Sequence, residues 1–229
     1  MVDASRKAGV STIIAIGAAA TVMGRPEDLH NVPDHQPLQF PAWAPYIKTK
    51  ALAEKLVLES GAPGFRTTVI KPPLIWAADS HMINGIFDLV KSGQFALIDN
   101  GGYDFSATHA MNVCHAAILA AEKSESGTSY FVTDGRDYSF RNFFEELLNT
   151  RGIALPQRSV PFSVAWNLAP CFEFFWNAFN LKSDPPLSRQ MVRMIGKPFT
   201  LNIDRARRDF DYSPIVSFEQ GLAEFRKVL

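Results

Sequence analysis

The stretch from residue 45 to residue 73 reads PYIKTKALAEKLVLESGAPGFRTTVIKPP and shows how the chain is organised. In its first half, apolar residues recur at helical spacing and predict a helix over 45–60, which Gly61 ends. In its second half, β-branched residues predict a strand over 65–70, and Pro72 and Pro73 close it because proline cannot continue a central strand. A helix joined to a strand by so short a turn is typical of a parallel sheet covered by helices.

The segments around this stretch continue the same pattern. Residues 11–16 (STIIAI) predict a strand buried on both faces, and the small residues at 17–21 fit a strand end that closely approaches a ligand or another backbone. The proline-rich residues 25–45 predict a loop. Helices are predicted near 83–92, 112–122 and 139–151, the last with Ser139 as its N-cap, and extended segments near 95–98 and 129–133. We therefore predict an α/β fold with a partial doubly wound parallel sheet.

The composition excludes several classes of protein. The chain has 229 residues, no net formal charge and 47% apolar residues, which is enough for a sizeable core and gives no bias towards nucleic acid. Its first residues lack the apolar core of a signal peptide. Residues 160–181 are rich in Phe and Trp, but polar residues and a proline interrupt them. We therefore predict no transmembrane helix and leave a membrane-surface helix open.

The residues that commonly bind metals or form disulfides carry no recognisable spacing. Cys114 and Cys171 are far apart in the sequence and are predicted to be small buried hydrophobic residues, which fits a reducing compartment. The five histidines match no zinc motif, so we predict no metal site. A cytoplasmic protein, with peripheral membrane contact left open, is the corresponding prediction.

Tyr46 and Lys50 lie four residues apart and share one face of the predicted helix. A phenol normally titrates near 10 and is a poor acid–base catalyst at neutral pH. An ammonium group one turn away would lower the pKa of the phenol and let it exchange protons with an alcohol or a carbonyl. This pair is weak evidence alone, but it opens a helix that lies between two strands of a predicted parallel sheet.

Five segments in order resemble the signatures of extended short-chain dehydrogenases. They are YIKTKALAEKLV at 46–57, TVIKPPLIW at 68–76, THAMNVCHAA at 108–117, SYFVTDG at 129–135 and DRARRDFDYSP at 204–214. Among the subfamilies, 3β-hydroxysteroid and sterol-4α-carboxylate dehydrogenases, within the NAD-dependent epimerase/dehydratase group, look most similar. The resemblance implies the C-terminal part of a Rossmann-type domain over 1–155, interleaved with substrate-side segments at 79–105, and a smaller, mostly helical substrate region over 156–229.

The resemblance also implies roles for individual residues. Tyr46 would be the general acid/base, and Lys50 would hold the ribose of NAD or NADP and lower the pKa of the tyrosine. The nicotinamide end would be contacted by Pro72, Pro73, Leu74 and Ile75. His109 and Asn112 are interpreted as mainly structural. The implied reaction is NAD(P)-dependent interconversion of a secondary alcohol and a ketone on a small hydrophobic, sterol-like substrate, and a homodimer is left open.

The sequence departs from the family pattern at three points. Ala19 stands where the family places a Ser or Thr, whose loss in comparable sites costs on the order of 10²–10³ in rate. Thr21, predicted to share a strand face with Ala19, is the candidate replacement. Ala77 and Ala78 follow the proline turn where a glycine is usual, which would be strained if positive φ were needed. A glycine-rich dinucleotide loop is absent, so the pyrophosphate lacks its usual cradle and strand 11–16 should have an exposed edge.

These departures leave alternatives open. The chain is interpreted as a truncated oxidoreductase, and a catalytically impaired remnant or partner-binding pseudoenzyme is the main alternative, since an exposed strand edge invites strand addition. A nucleotide-sugar epimerase or dehydratase is a third interpretation. The aromatic segment after Pro161 argues against it, because a diphosphate substrate needs arginines there.

Overall fold

A computed structural model describes residues 1–183 and 185–227 of the chain. Its helices are α1 (Val2–Lys7), α2 (Pro45–Glu59), α3 (His81–Lys91), α4 (Ala110–Lys123), α5 (Phe140–Asn149), α6 (Phe162–Ala178), α7 (Arg189–Ile195), α8 (Asp204–Phe210) and α9 (Phe218–Lys227). Its strands are β1 (Thr12–Ile16), β2 (Leu29–Val32), β3 (Arg66–Lys71), β4 (Leu74–Trp76), β5 (Leu97–Ile98), β6 (Asp104–His109), β7 (Thr128–Phe131), β8 (Asp137–Ser139), β9 (Ser159–Val160) and β10 (Phe199–Leu201).

The strands form a three-stranded parallel sheet, called the main sheet here, a second sheet of five strands, and a two-stranded pair. The main sheet has the order β1-β3-β7, and both of its pairings are parallel. The second sheet has the order β2-β10-β6-β4 with parallel pairings, and β8 joins β6 antiparallel. Strands β5 and β9 form a short parallel pair. The strands that were predicted near 11–16, 65–70 and 129–133 are thus the three strands of the main sheet.

Helices cover both faces of the main sheet. Thr68 in β3 hydrogen-bonds Ser124 at the end of α4, whereas Lys71, three residues further along the same strand, pairs with Glu54 of α2. Alternate strand residues point to opposite faces, so α4 and α2 lie on opposite sides of the sheet. The predicted α/β fold with a doubly wound parallel sheet is confirmed.

Two predictions about local structure near β1 are wrong. The strand over 11–16 was expected to be buried on both faces, but β1 lies at the sheet edge, where none of its residues is fully buried and Ile16 is 44% exposed. The exposed edge inferred from the missing dinucleotide loop is confirmed. Residues 25–45 were predicted to form a loop but include β2, which pairs with β10. That pairing joins segments about 170 residues apart, so no local sequence pattern predicts it.

The C-terminal residues complete the core of the sheets. Phe199, Phe210 and Tyr212 pack in the cluster over the main sheet, and Phe218 and Phe225 pack in the cluster around Trp76. Residues 199–225 therefore supply strand β10 to the second sheet and pack against both sheets. The proposed boundary between 155 and 156 stays a prediction.

Four local features differ from the predictions or bear on them directly. Both thiols were predicted to be buried, but Cys114 and Cys171 are exposed, because each lies on the outer side of its helix. Ser139 precedes α5 without a capping side-chain hydrogen bond. Neither Ala77 nor Ala78 has positive φ, so the proline turn is not strained there. Within the described residues, no helix has the length and apolar character needed to cross a membrane.

Candidate active site

Helix α2 presents different residues to the core and to the surface. Ile47, Ala51 and Glu54 are its buried residues, and they recur at helical spacing. Ile47 packs in the same cluster as the small residues that follow β1. The start of α2, which carries Tyr46, therefore packs beside the carboxyl end of β1. Such a position, outside the carboxyl ends of parallel strands, is where open α/β sheets bind their ligands.

The structure brings Tyr46 and Lys50 together as the sequence predicted. The Lys50 Nζ atom lies over the Tyr46 ring, 6.0 Å from the ring centroid, and the tyrosine remains 39% exposed. The pKa of Tyr46, however, is raised, because partial burial disfavours the phenolate. The expected lowering by Lys50 does not appear, since the ammonium lies over the ring face rather than at the phenol oxygen.

The strand end beside Tyr46 is built from small, buried residues. A Cβ atom at Gly17 would lie 2.7 Å from Val69 Cγ1, so only glycine fits this close approach. Gly17 N–H donates to Ile70 O over 2.8 Å, and Ala19 N–H donates to Pro72 O over 2.9 Å. The ends of β1 and β3 are therefore tied together. These bonds place the turn of Pro72 and Pro73, which leads into Leu74 and Ile75 of β4, beside the same strand end.

Thr21 is not where the sequence placed it. It was predicted to lie on a strand and to share a face with Ala19, but residues 19–22 form a 3₁₀ turn, in which side chains point in three directions. The Thr21 hydroxyl is fully buried and lies 3.1 Å from Glu54 Oε2 and 3.1 Å from Ala18 O. It is therefore engaged inside the core, and we assign it no catalytic role.

Glu54 belongs to a buried ion pair that sequence reasoning missed. Its Oε1 atom lies 3.2 Å from Lys71 Nζ, and both side chains are 1% exposed. The ammonium of Lys71 also lies 4.3 Å from the centroid of the Phe131 ring. The pair fixes the middle of α2 onto the end of β3. The sequence did contain a sign of this pair, because Glu54 lies on the same helix face as the apolar residues at 47 and 51. A charged residue seldom occupies a core position unpaired, so a buried partner could have been predicted.

A pocket opens beside Tyr46 with a volume of about 640 Å³. Its lining combines the start of α2 with residues of α6, α7 and the segment between them, and it includes Trp43, Tyr46, Glu173, Trp176, Arg189 and Gln190. Part of the Phe- and Trp-rich segment 160–181 therefore lines this pocket. Trp176 lines the pocket, whereas Trp166 packs edge-on against Trp43, with ring centroids 5.2 Å apart. Arg189 is already paired with Glu173 across 2.8 Å.

His109 and Asn112 lie in a separate buried network. The Asn112 amide donates to Asp134 Oδ1 and to Val216 O, and its Oδ1 atom accepts the Ile215 and Val216 N–H groups. Asp134 also accepts hydrogen bonds from the His109 backbone and from the Trp76 indole. These contacts fix the C-terminal segment against the sheets, so the interpretation of both residues as structural is supported.

The amino-acid sequence of this chain matches a known protein family over most of its length. Residues 1–163 match the sequence profile of the 3-beta hydroxysteroid dehydrogenase/isomerase family. The chain belongs to this family.

Relatives with assigned activities cover most of the chain. The 4-hydroxy-2-methyl-3-oxo-4-farnesyl-3,4-dihydroquinoline-1-oxide ketoreductase of Stigmatella aurantiaca is 36% identical over 226 residues, which are 98% of this chain and 67% of the relative. The decarboxylating sterol-4-alpha-carboxylate 3-dehydrogenase of Dictyostelium discoideum is 27% identical over 96% of this chain and 68% of its own length. This chain thus spans about two thirds of these relatives.

The fold is also that of solved members of the wider group. The dTDP-glucose 4,6-dehydratase of Bacillus anthracis, solved in complex with NAD, superposes with a TM-score of 0.68 at 16% identity. The match covers 99% of this chain and 64% of that enzyme. The resemblance read from the five sequence segments is thereby confirmed.

The residues present fit one half of a dinucleotide cofactor. Gly17 lets the end of β1 pack closely against Val69 of β3, and the half-buried Pro73, Leu74 and Ile75 follow β3. These residues suit a nicotinamide and its ribose. The chain offers no glycine-rich loop for the pyrophosphate.

Proposed function

We propose that this protein is an NAD(P)-dependent oxidoreductase that interconverts a secondary alcohol and a ketone on a hydrophobic, sterol-like substrate. The observation that carries the proposal is the Tyr46 and Lys50 pair on α2, with Tyr46 in the wall of a pocket that Trp43 and Trp176 also line. The relatives named above act, by their names, on a farnesylated quinoline ketone and on a sterol carboxylate.

In the proposed reaction, Tyr46 holds the proton that the substrate gains or loses. The phenol, half-exposed at the pocket wall, donates its proton to a ketone oxygen, and in the reverse direction its phenolate accepts the proton of an alcohol. Lys50, one helical turn from the phenol, would hold the nicotinamide ribose. The bound cofactor, when present, supplies or accepts the hydride. Pro72, Pro73, Leu74 and Ile75 would position its nicotinamide end, and Trp43 and Trp176 would exclude water from the substrate.

Substitutions on α2 test this assignment. Tyr46→Phe removes the ionisable hydroxyl and should lower kcat by about 10²–10⁴, the usual share of general acid–base catalysis. Lys50→Met should weaken cofactor binding as well as turnover. Lys48→Met is the matched control, because Lys48 is exposed on the same helix between the two residues. Oxidation of a 3β-hydroxysteroid with NAD or NADP, followed by cofactor absorbance, is the assay, and an unchanged kcat for Tyr46→Phe would contradict the assignment.

A second candidate function, partner binding without catalysis, is favoured by the open edge of β1. Among the residues that the structure describes, no strand pairs with its outer backbone groups, and Ile16 is exposed there. Such an edge accepts an added strand from another chain. If residues 1–229 purify as a soluble monomer that is fully active and binds NAD(H), this candidate is wrong.

The proposed surroundings of the protein are the cytoplasm and, through α6, a membrane surface. Free thiols at positions 114 and 171 fit a reducing compartment. At the end of α6, Phe174 and Phe179 are 68% and 69% exposed, which is an apolar surface suited to lipid. Co-sedimentation with phosphatidylcholine vesicles should be lost in a Phe174→Ser/Phe179→Ser variant, and equal binding of both proteins would contradict the proposal.

A homodimer through α2 completes the proposal. Leu52 and Leu56 lie one turn apart on the outer face of α2 and are 49% and 59% exposed. Two copies of this helix packed together would bury both residues. Sedimentation equilibrium should show a dimer that Leu56→Glu dissociates, and a wild-type monomer would contradict it.

A further inference from the structure

The helix that carries Tyr46 does not cap its own N-terminus. Its N-cap residue is Ala44, which has no side-chain acceptor, and Pro45 follows as the first helical residue. The first backbone N–H groups of a helix have no partner inside the helix. Here the N–H of Tyr46 itself donates to Gln190 Oε1 over 2.8 Å, across a separation of 144 residues. The acceptor that a preceding Ser or Asp would ordinarily supply therefore comes from α7.

Gln190 is held in place by its neighbours on α7. The Arg189 backbone N–H and Nε donate to the two carboxylate oxygens of Glu173, over 2.7 Å and 3.0 Å. One turn further along α7, Arg193 is fully buried and its Nε donates to Arg25 O over 2.6 Å. The helix is therefore anchored on α6 on one side of Gln190 and on the segment after β1 on the other.

The same side chains form part of the pocket wall. Tyr46, Gln190, Arg189 and Glu173 all line the pocket beside the phenol. We propose that Gln190 is a positioning residue for Tyr46: it fixes the backbone of the acid/base residue against the substrate region, and the Glu173–Arg189 pair holds Gln190 in place. This inference rests on the proposed function, because only there does the position of the phenol matter for turnover.

Three substitutions on α7 test the inference in the full chain. Gln190→Ala removes the acceptor. Gln190→Glu keeps it, and its carboxylate suits a helix N-terminus. Met194→Ala is the control, since Met194 is exposed one turn away and lines no part of the pocket. Amide hydrogen exchange at Tyr46, measured by NMR, reports on the hydrogen bond between the Tyr46 N–H and Gln190, and it requires no turnover. Exchange should rise about tenfold or more in Gln190→Ala, and it should stay near the wild-type rate in Gln190→Glu and in Met194→Ala.

Kinetics with a 3β-hydroxysteroid and NAD or NADP then read the consequence. In Gln190→Ala, kcat should fall by up to about 10², the effect of a displacement near 1 Å, with little change in KM. In Gln190→Glu, kcat should be largely retained, and the basic limb of its pH profile should move upwards, because an added anion disfavours the phenolate.

Three results would overturn the inference. They are unchanged exchange at Tyr46 in Gln190→Ala, equal damage in Gln190→Ala and Gln190→Glu, and a loss confined to KM. If the wild-type chain shows no turnover, the proposed function is refuted. If Gln190→Ala nevertheless speeds exchange of the Tyr46 amide, the contact between Gln190 and Tyr46 is supported.

Discussion

Removing one partner of the buried ion pair between α2 and β3 should destabilise the protein strongly. Glu54 and Lys71 are 1% exposed and 3.2 Å apart, so neither charge can be solvated when the other is lost. Breaking such a pair typically costs about 3–5 kcal/mol, against a total stability of about 5–15 kcal/mol for a native protein. Lys71→Met leaves the Glu54 carboxylate with only the Thr21 hydroxyl, and Glu54→Leu leaves the ammonium facing the Phe131 ring.

The double replacement separates the cost of an unpaired charge from the value of the pair. Glu54→Leu/Lys71→Met removes both charges together, and Thr21 keeps Ala18 O as an acceptor, so we expect a stability near wild type or above it. The exposed Lys55–Glu59 pair on the same helix, 3.8 Å apart, is the matched control. Its coupling free energy should be about 0.3–0.5 kcal/mol.

Urea unfolding followed by tryptophan fluorescence gives the free energies for both double-mutant cycles. We expect a coupling free energy of about 3 kcal/mol or more for Glu54 and Lys71. If that coupling is below about 1 kcal/mol, close to that of the exposed pair, the reasoning about burial is refuted.

Two further predictions concern a buried acid and a packed glycine. Burial raises the pKa of Asp34 from 3.8 to about 6, so stability should fall by about 3 kcal/mol as the pH rises through that window. Asp34→Asn should abolish this fall. Urea titrations at pH 4 and pH 7 give the free energy of unfolding of both proteins, and the same pH dependence in both would contradict the prediction. A Cβ atom at Gly221 would lie 2.3 Å from the Trp76 ring, so Gly221→Ala should cost about 1–3 kcal/mol. Gly85→Ala, in open space within α3, should instead stabilise the protein by about 1 kcal/mol. Equal shifts in melting temperature for Gly221→Ala and Gly85→Ala would contradict this prediction.

Elements that carry their own boundary signals were predictable from the sequence. The helix expected over 45–60 is Pro45–Glu59, and the strand expected over 65–70 is Arg66–Lys71. Glycine and proline mark the ends of both, and their apolar residues follow a clear period. The second sheet had no such signals. Strand β10 has three residues and pairs with β2 and β6, far away in the sequence, so only tertiary contacts define it.

The candidate site was predictable to the same extent. The spacing of Tyr46 and Lys50 lies within one helix, and local periodicity is enough to place both side chains on one face. The partners that fix this helix are not local. Gln190 reaches the Tyr46 N–H from α7, and no sequence pattern connects the two. The sign of the tyrosine's pKa shift also escaped prediction, because it depends on burial and on the position of the lysine over the ring.

The position of the Thr21 hydroxyl determines which roles are left to Tyr46 in the proposed reaction. Along a strand, residues 19 and 21 would share a face, but in the 3₁₀ turn that forms here they point roughly 120° apart. The hydroxyl therefore turns towards Glu54, and the strand end contributes Ala18, Ala19 and Ala20. In the proposed reaction the phenol of Tyr46 must then both polarise the ketone and transfer the proton. Any contact that fixes its backbone, such as the one from Gln190, consequently bears directly on the rate.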